Sequence, residues 1–405
     1  MTLNEQHPKI VVYSSLFPHA GSPTAGVFIR ERMFRVGKEL PITVVSPKPW
    51  FPGQGLIRYF RPYFRPSAPW RDIQDEVEIF YPRYLSFPGI FKQLDGLFMA
   101  LGSYLTLRML IRKRGFNLLD AHFAYPDGYA ATLLGKWLEM PVSITLRGTE
   151  LRHSATPGLL PKLRCAMKRA DRLFSVSDSL RKHAISLGIE PEKITVVGNG
   201  VDTKKFKPIP KSDARRQLGL SDRDRVLISV GGLVERKGFH RVIEVLPGLL
   251  KEYPDLKYLI VGGPGPEGDW SERLRQQVSA LRLESVVIFL GAMPSERLKT
   301  PMSAADIFVL ATSNEGWANV FLEAMACGLP VVTTDVGGNR EVVCRNELGV
   351  ILPFGDSEKL ASALSNAFRR SWDKAAILSY AAENSWDSRI TVLKDAFSKI
   401  IAAGR

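Results

Sequence analysis

The stretch Thr312-Ser313-Asn314-Glu315-Gly316-Trp317-Ala318-Asn319-Val320-Phe321-Leu322-Glu323-Ala324-Met325-Ala326-Cys327-Gly328 decides the fold. It follows the apolar run 306–310, which has the composition of a buried strand, and passes through a polar loop into a short helical pattern that Gly328 should end. Strand, loop and helix start in that order leave free backbone N–H groups near Ala318 to Phe321, where the helix dipole favours a phosphate. Gly316, Asn319 and Val320 would lie at that start. Glu323 sits inside the helix, where a carboxylate can accept from two vicinal ribose hydroxyls, and Glu315 in the loop can address a second sugar. Taken alone, the two carboxylates read first as a solvated loop group and a surface helix group.

Outward from this stretch the same rhythm repeats. Short β-rich runs at 9–15, 42–46, 77–81, 117–121, 142–146, 172–176 and 194–197 alternate with helical patterns, and so do 225–230, 257–261, 286–290, 306–310, 330–334 and 349–352. Such alternation marks parallel sheets with crossover helices, so the expected class is α/β with two doubly wound, Rossmann-like domains. A length of 405 residues agrees, being more than twice the roughly 150-residue prior for one domain. Asn199-Gly200-Val201-Asp202 and the charged, proline-bearing 204–210 read as a turn and linker between domains 1–200 and 201–384. Ligands of open α/β sheets bind beyond the carboxyl ends of the strands, so the two domains are expected to face an interdomain cleft. The excursion 50–70, rich in Pro, Arg and aromatic residues, is either a functional loop or an ordered surface flap.

Composition narrows the function. With 45% hydrophobic, 24% charged and 10% aromatic residues the chain is globular, and disorder and coiled coil are excluded. The net charge of +14 is lopsided: 27 basic against 16 acidic residues leave +11 in the first 200 positions, and 28 against 25 leave +3 in the rest. A basic first half favours an anionic partner such as a membrane surface or phosphorylated substrate. No nucleic-acid module appears, so no nucleic acid is expected. Cys165, Cys327 and Cys344 are odd in number and form no Cys-x-x-Cys pair, and the six histidines lack ligand spacing. A disulfide framework and a metal site are therefore not expected, and a reducing compartment is. The polar start lacks a signal peptide's apolar stretch, and 94–111 is broken by Asp95 and Arg108, short of the about 20 apolar residues of a span. These features imply a cytoplasmic protein, peripheral on the inner membrane face if attached at all.

A second chemical motif follows the run 225–230. In Gly231-Gly232-Leu233-Val234-Glu235-Arg236-Lys237-Gly238 the glycines let backbone approach a diphosphate, while Arg236 and Lys237 supply charge. Gly263-Pro264-Gly265-Pro266-Glu267-Gly268 has dinucleotide-loop spacing, but its prolines and the lack of an acidic residue at the next strand's end speak against that use. Asp222-Arg223-Asp224 precedes a strand in a charged turn and is set aside as a metal motif.

Glu315 and Glu323, separated by seven residues, stand in order with Thr24-Ala25-Gly26-Val27-Phe28, Asp120-Ala121-His122-Phe123-Ala124-Tyr125-Pro126-Asp127-Gly128, Leu146-Arg147-Gly148-Thr149-Glu150, Val176-Ser177-Asp178 and Gly231 to Gly238. Over nearly the whole chain this set resembles the retaining nucleotide-sugar glycosyltransferases of the GT-B fold, in the large family 4 group. The resemblance implies sugar transfer from a nucleoside-diphosphate donor with the anomeric configuration kept. It implies a donor-binding second domain, an acceptor-binding first domain, and a last helix, about 385–405, returning to the first domain. Gly26, Gly231, Gly232, Gly316, Asn319, Val320 and Glu323 would bind the donor; Glu315, Lys237, Arg236 and Arg147 would form the catalytic set; His122 and Asp127 would face the acceptor.

Two departures from the family stand out. The arginine usual after the first glycine of the diphosphate loop is Gly232 here, so its contact is missing or moved onto Arg236. Where many relatives have histidine, Arg147 cannot exchange a proton near neutral pH, which leaves charge stabilisation, hydrogen bonding or a structural pairing with Glu150. The expected co-substrates are a nucleotide sugar and a glycan or lipid-linked hydroxyl, with no cofactor and no metal required. Similarity to exopolysaccharide and teichuronic-acid type transferases suggests cell-surface polysaccharide assembly. The alternatives are a GT-B sugar-nucleotide epimerase or phosphorylase, and a non-catalytic basic protein binding anions or membranes.

Overall fold

The computed structural model describes residues 7–23, 25–60, 64–265 and 267–403. Thr24 of the first glycine-bearing segment, Arg61 and Tyr63 of the excursion, and Pro266 lie outside the described residues. The chain divides into two compact units, 1–199 with 389–405, and 200–388.

The first unit holds β1 (Ile10–Tyr13), β2 (Ile42–Val45), β3 (Lys48–Trp50), β4 (Arg71–Gln74), β5 (Val77–Phe80), β6 (Arg83–Leu85), β7 (Leu118–His122), β8 (Val142–Leu146), β9 (Arg172–Ser175) and β10 (Ile194–Val196). Its main sheet runs β10-β9-β8-β7-β1-β2-β5-β4, parallel except that β4 is antiparallel to β5, while β3 and β6 form a separate parallel pair. The second unit holds β11 (Arg225–Val230), β12 (Leu256–Val261), β13 (Val287–Gly291), β14 (Ile307–Leu310), β15 (Val331–Thr334) and β16 (Gly349–Leu352), ordered β13-β12-β11-β14-β15-β16 and all parallel. In each sheet the strand order reverses beside the first strand, at β1/β7 and at β11/β14, the points where open sheets leave a crevice.

The strands are legible because helices cover both faces. Val142-Ser143-Ile144-Thr145-Leu146 is buried at every position, so it reads as an apolar run rather than an alternation. The polar residues inside such runs are satisfied internally: Ser143 Oγ donates to Asp120 Oδ1 (2.6 Å) and Thr333 Oγ1 to the Leu310 carbonyl (2.8 Å). The short β3, β4 and β6 were not expected, since Lys48-Pro49-Trp50 carries a proline and none of the three has a continuous apolar run. They frame the excursion, which itself contains the helix Gln54–Phe60.

Two helices have unequal faces, and the last of the chain belongs to the first unit from Arg389 on. The helix Trp386–Ala402 buries Trp386, Ile390, Leu393 and Phe397 at helical spacing, and Phe397 packs edge-on against Phe174 of β9 at 5.6 Å between ring centres. The segment Lys92–Arg114 is long and apolar enough by composition to cross a membrane. One face of its helix Asp95–Arg114 is core, with Met99, Ala100, Leu107 and Leu110 fully buried. The opposite face leaves Leu101 56% and Leu105 74% exposed.

Candidate functional site

Four loops converge at the carboxyl edge of the second sheet, held by backbone bonds. After β11, the Arg236 carbonyl accepts from Ser313 N–H (2.9 Å) of the loop after β14, and the Leu233 carbonyl accepts from Trp270 N–H (2.7 Å) of the loop after β12. After β15, Gly338 N–H donates to the Glu315 carbonyl (3.0 Å). Gly337 makes that approach possible: it has φ +52°, and a Cβ there would lie 1.8 Å from the Glu315 carbonyl oxygen. Neither Gly337 nor Gly338 was singled out from sequence, although a glycine pair after a strand was the available signal.

This clamp presents the Glu315 carboxylate to both basic residues of the diphosphate loop. Glu315 Oε1 accepts from Lys237 Nζ at 2.6 Å, Arg236 Nη1 at 3.0 Å and Thr312 Oγ1 at 3.2 Å. Arg236 also binds Glu267 through Nε (3.0 Å) and Nη2 (2.7 Å). Burial alone would lower the Arg236 pKa, but Glu267 and Glu315 outweigh it and raise it. Lys237's stem lies against Gly231, whose absent Cβ would sit 3.6 Å from it. Gly232 faces the loop after β12, with 3.7 Å from its notional Cβ to Gly265 Cα.

The helix Asn319–Ala326 begins without a side-chain cap or an acidic first turn, and Gly328 follows its end at φ +79°. Phe321 N–H already donates to the Ala318 carbonyl (3.1 Å), which removes it from the amides expected to be free. Gly316 and Val320 lie at this loop and helix start with Asn319, and Glu323 is half-buried within the helix.

In the first unit, Arg147 follows β8 and is half-buried. Its Nε and Nη2 both point to His122 Nδ1 at 3.1 Å, its Nη1 to Asn199 Oδ1 at 3.3 Å, and its guanidinium lies 5.0 Å from the Phe28 ring centre. The alternative of a side-chain pairing with Glu150 is not found among the described residues: Glu150 accepts from the backbone N–H groups of Ala124, Arg147 and Gly148. With Nδ1 an acceptor, His122 keeps its proton on Nε2, 3.5 Å from Asp120 Oδ2. Burial first, then Arg147 and Arg32, hold its pKa well below the usual range, so it stays neutral. Asp127 is also buried and binds Ser15 through the backbone N–H (2.5 Å) and the hydroxyl (3.2 Å), joining the loops after β7 and β1. Burial pushes its pKa up to about 6, against the lowering by Ser15 and Lys48. Gly26 starts the helix Val27–Gly37 at φ +69°, and a Cβ there would come within 2.3 Å of the Leu16 carbonyl oxygen, so the fold alone demands glycine.

The cysteines are all free. Three arginines in and beside the excursion are oriented by the fold itself. Arg58 and Arg65 donate to the carbonyls of Arg65 and Ser86, and Arg71 pairs with Glu78, because turns and a strand edge offer these acceptors nearby.

Comparison with known proteins agrees with this geometry. Residues 38–205 match the family model described as Glycosyltransferase Family 4, and residues 210–385 the one described as Glycosyl transferases group 1. TuaC of Bacillus subtilis, named for teichuronic acid biosynthesis, is 26% identical over 367 residues, covering 89% of this chain and 88% of that protein. Among solved structures, sucrose-phosphate synthase from Thermosynechococcus elongatus has a TM-score of 0.77 at 19% identity, covering 98% of this chain and 100% of that one. Anabaena HepE in complex with UDP and glucose has a TM-score of 0.75 at 20% identity, covering 97% and 100%. The fold is that of a glycosyltransferase with two Rossmann-like domains. The chain belongs to the family 4 group of GT-B glycosyltransferases.

Proposed function

We propose that the chain is a retaining transferase that moves a sugar from a nucleoside diphosphate to a hydroxyl of a glycan or lipid-linked acceptor in cell-surface polysaccharide assembly. The observation that carries this reading is the Lys237–Glu315–Arg236 cluster at the β11/β14 reversal, beside the start of the helix Asn319–Ala326. A diphosphate entering there would take Lys237 and Arg236 from Glu315, and the released carboxylate would turn to the donor sugar. Glu323 would hold the ribose hydroxyls. In the transfer, the bond from C1 to the diphosphate breaks and the acceptor oxygen bonds to C1 on the same face. The hydroxyl proton passes to a leaving diphosphate oxygen. Lys237, Arg236 and the helix start would supply the positive charge that stabilises this leaving group, so the scheme calls for no metal. Arg147, held by neutral His122, would stabilise charge rather than move a proton. The likeness to TuaC supports polysaccharide assembly, and the UDP complex of HepE makes UDP the first nucleotide to try.

The test is thermal unfolding with UDP, GDP and ADP sugars, since a ligand at 100 times its Kd should stabilise by about 2.7 kcal/mol. Proton NMR of the glycosidic product should then show the donor's anomeric configuration. Inversion would overturn the retaining scheme, and formation of an epimer in place of a glycoside would overturn transfer.

A peripheral membrane attachment is favoured by exposed apolar surface on the basic first unit. Leu101 and Leu105 share a face of the helix Asp95–Arg114, whose last turn carries the exposed Arg112 and Lys113, and Tyr59 and Phe60 are exposed on the helix Gln54–Phe60. An anionic bilayer complements both features, with each basic group near the surface contributing about 1 kcal/mol. Cosedimentation with anionic vesicles at low salt is expected, weakened at high salt and in Leu101→Ser/Leu105→Ser. Protein that stays in the supernatant with anionic vesicles at low salt would remove this attachment.

A further inference from the structure

A cavity of about 400 Å³ opens in the first unit near the carboxyl ends of β1 and β2 and is walled by β3, β6 and the excursion. Lys48, Arg58, Arg65 and Arg83 line it, and its described lining contains no Asp or Glu. Lys48, Arg58 and Arg65 are held in place by peptide oxygens rather than carboxylates. Lys48 Nζ donates to the Ser15 carbonyl (3.0 Å) and lies 5.4 Å from the Tyr81 ring centre. Burial draws its pKa down to about 8, with Asp127 opposing. Asp127 itself is bound to Ser15. Arg58 Nε donates to the Arg65 carbonyl (3.1 Å) and Arg65 Nη1 to the Ser86 carbonyl (2.6 Å), so peptide oxygens rather than carboxylates orient both guanidinium groups. Arg83 is exposed at the rim.

A second observation is independent of charge. Gln54 lines the same cavity, is 4% exposed, and its buried Oε1 has no hydrogen-bond partner. A buried amide oxygen without a partner is unfavourable unless a ligand supplies a donor. His19, also in the lining, accepts Gly21 N–H on Nδ1 (3.2 Å), which leaves Nε2–H as a neutral donor. Three fixed cations, a fourth at the rim, a neutral imidazole donor and an unused amide oxygen suit a phosphate or carboxylate next to a hydroxyl.

We propose that this pocket binds an oxyanion carried by the acceptor, with Lys48 and the three arginines on the anion and Gln54 on a neighbouring sugar hydroxyl. The inference rests on the transferase reading in that it takes the ligand to be the acceptor. The ligand chemistry is the same for a phosphorylated or uronic sugar and for the phosphate of a lipid carrier.

Calorimetric titration of the full chain with glucose 1-phosphate, glucuronate, dodecyl phosphate and methyl glucoside tests it. At least one anionic probe should bind at least tenfold tighter than methyl glucoside, and Lys48→Met and Arg83→Gln should each weaken it tenfold or more without changing UDP affinity. Preference for the sugar anions places the charge on the sugar, and preference for dodecyl phosphate places it on a lipid carrier. Gln54→Leu should weaken glucose 1-phosphate or glucuronate but not dodecyl phosphate. Arg83 is exposed, so Arg83→Gln keeps the test open if a buried variant fails to fold. The proposal is overturned if methyl glucoside binds as tightly as the anions, or if folded Lys48→Met and Arg83→Gln bind them like the unmodified chain. Absence of UDP binding with the anion results intact would refute the donor reading and leave the pocket standing.

Discussion

Lys237→Ala isolates the charge that the site holds ready for a diphosphate. Lys237 Nζ is 2.6 Å from Glu315 Oε1, and the two side chains are 17% and 9% exposed. Removing the lysine does not orphan the carboxylate, because Arg236 Nη1 at 3.0 Å and Thr312 Oγ1 at 3.2 Å remain on the same oxygen. The stability cost should therefore stay near the ~1 kcal/mol of one ordinary hydrogen bond, well below the ~3–5 kcal/mol of a broken buried ion pair. Turnover should respond differently. A charge-assisted donor aimed at a leaving diphosphate is worth about 2–4 kcal/mol, so kcat/KM should fall by roughly 30- to 1000-fold. Steady-state kinetics with the donor identified by thermal shift, beside a melting curve of the same variant, read the two quantities separately. Near-normal kcat/KM in Lys237→Ala together with an inactive Arg236→Ala would refute the assignment and shift the phosphate contact by one residue. A large stability loss would instead show that Arg236 and Thr312 do not sustain Glu315.

Glu323→Ala should weaken UDP binding measured by titration, whereas Glu315→Gln should mainly lower kcat; unchanged affinity in Glu323→Ala removes the ribose role. Glu267→Gln should raise nucleotide affinity about two- to fivefold, because the incoming diphosphate no longer displaces a partly exposed pair worth about 0.5–1 kcal/mol. Equal affinity would mean that Arg236 does not leave Glu267 when nucleotide binds. Asp127 has a folded pKa of about 6 against an unfolded value of 3.8, so its contribution to stability is fully present below pH 3.8 and is lost as pH rises through 6. The Tm of the unmodified chain minus that of Asp127→Asn should therefore be larger at pH 5 than at pH 7, and a difference of the opposite sign would refute the burial argument.

Legibility followed the range of the interactions. Runs such as Arg225–Val230 and Val142–Leu146 declare themselves because a strand covered on both faces must be apolar along its whole length. Lys48–Trp50 and Arg83–Leu85 do not, since a three-residue pair at the rim carries no period. The candidate residues Glu315, Lys237 and Arg236 could be named from motifs, but their joining on one carboxylate oxygen spans more than 70 positions and has no local signal. The same holds for Arg147: its bond to His122 depends on β7 and β8 being neighbours, whereas Glu150 was near in sequence and already taken. The pocket around Lys48 was hidden because its cations come from β3, β6 and two parts of the excursion.

The return of the chain to its first unit sets an order of events during synthesis. Residues 389–405 belong to the unit begun at the other end of the polypeptide, and they follow all of 200–388. While the ribosome makes the second unit, the first has its sheet but not Leu393 or Phe397, and the apolar surface around Phe174 stays uncovered. The nascent first unit therefore stays incomplete, with apolar surface uncovered, until the helix Trp386–Ala402 has been made. A premature stop inside the helix Trp386–Ala402 would spare every loop of the donor site and still yield a protein prone to aggregate from its other half.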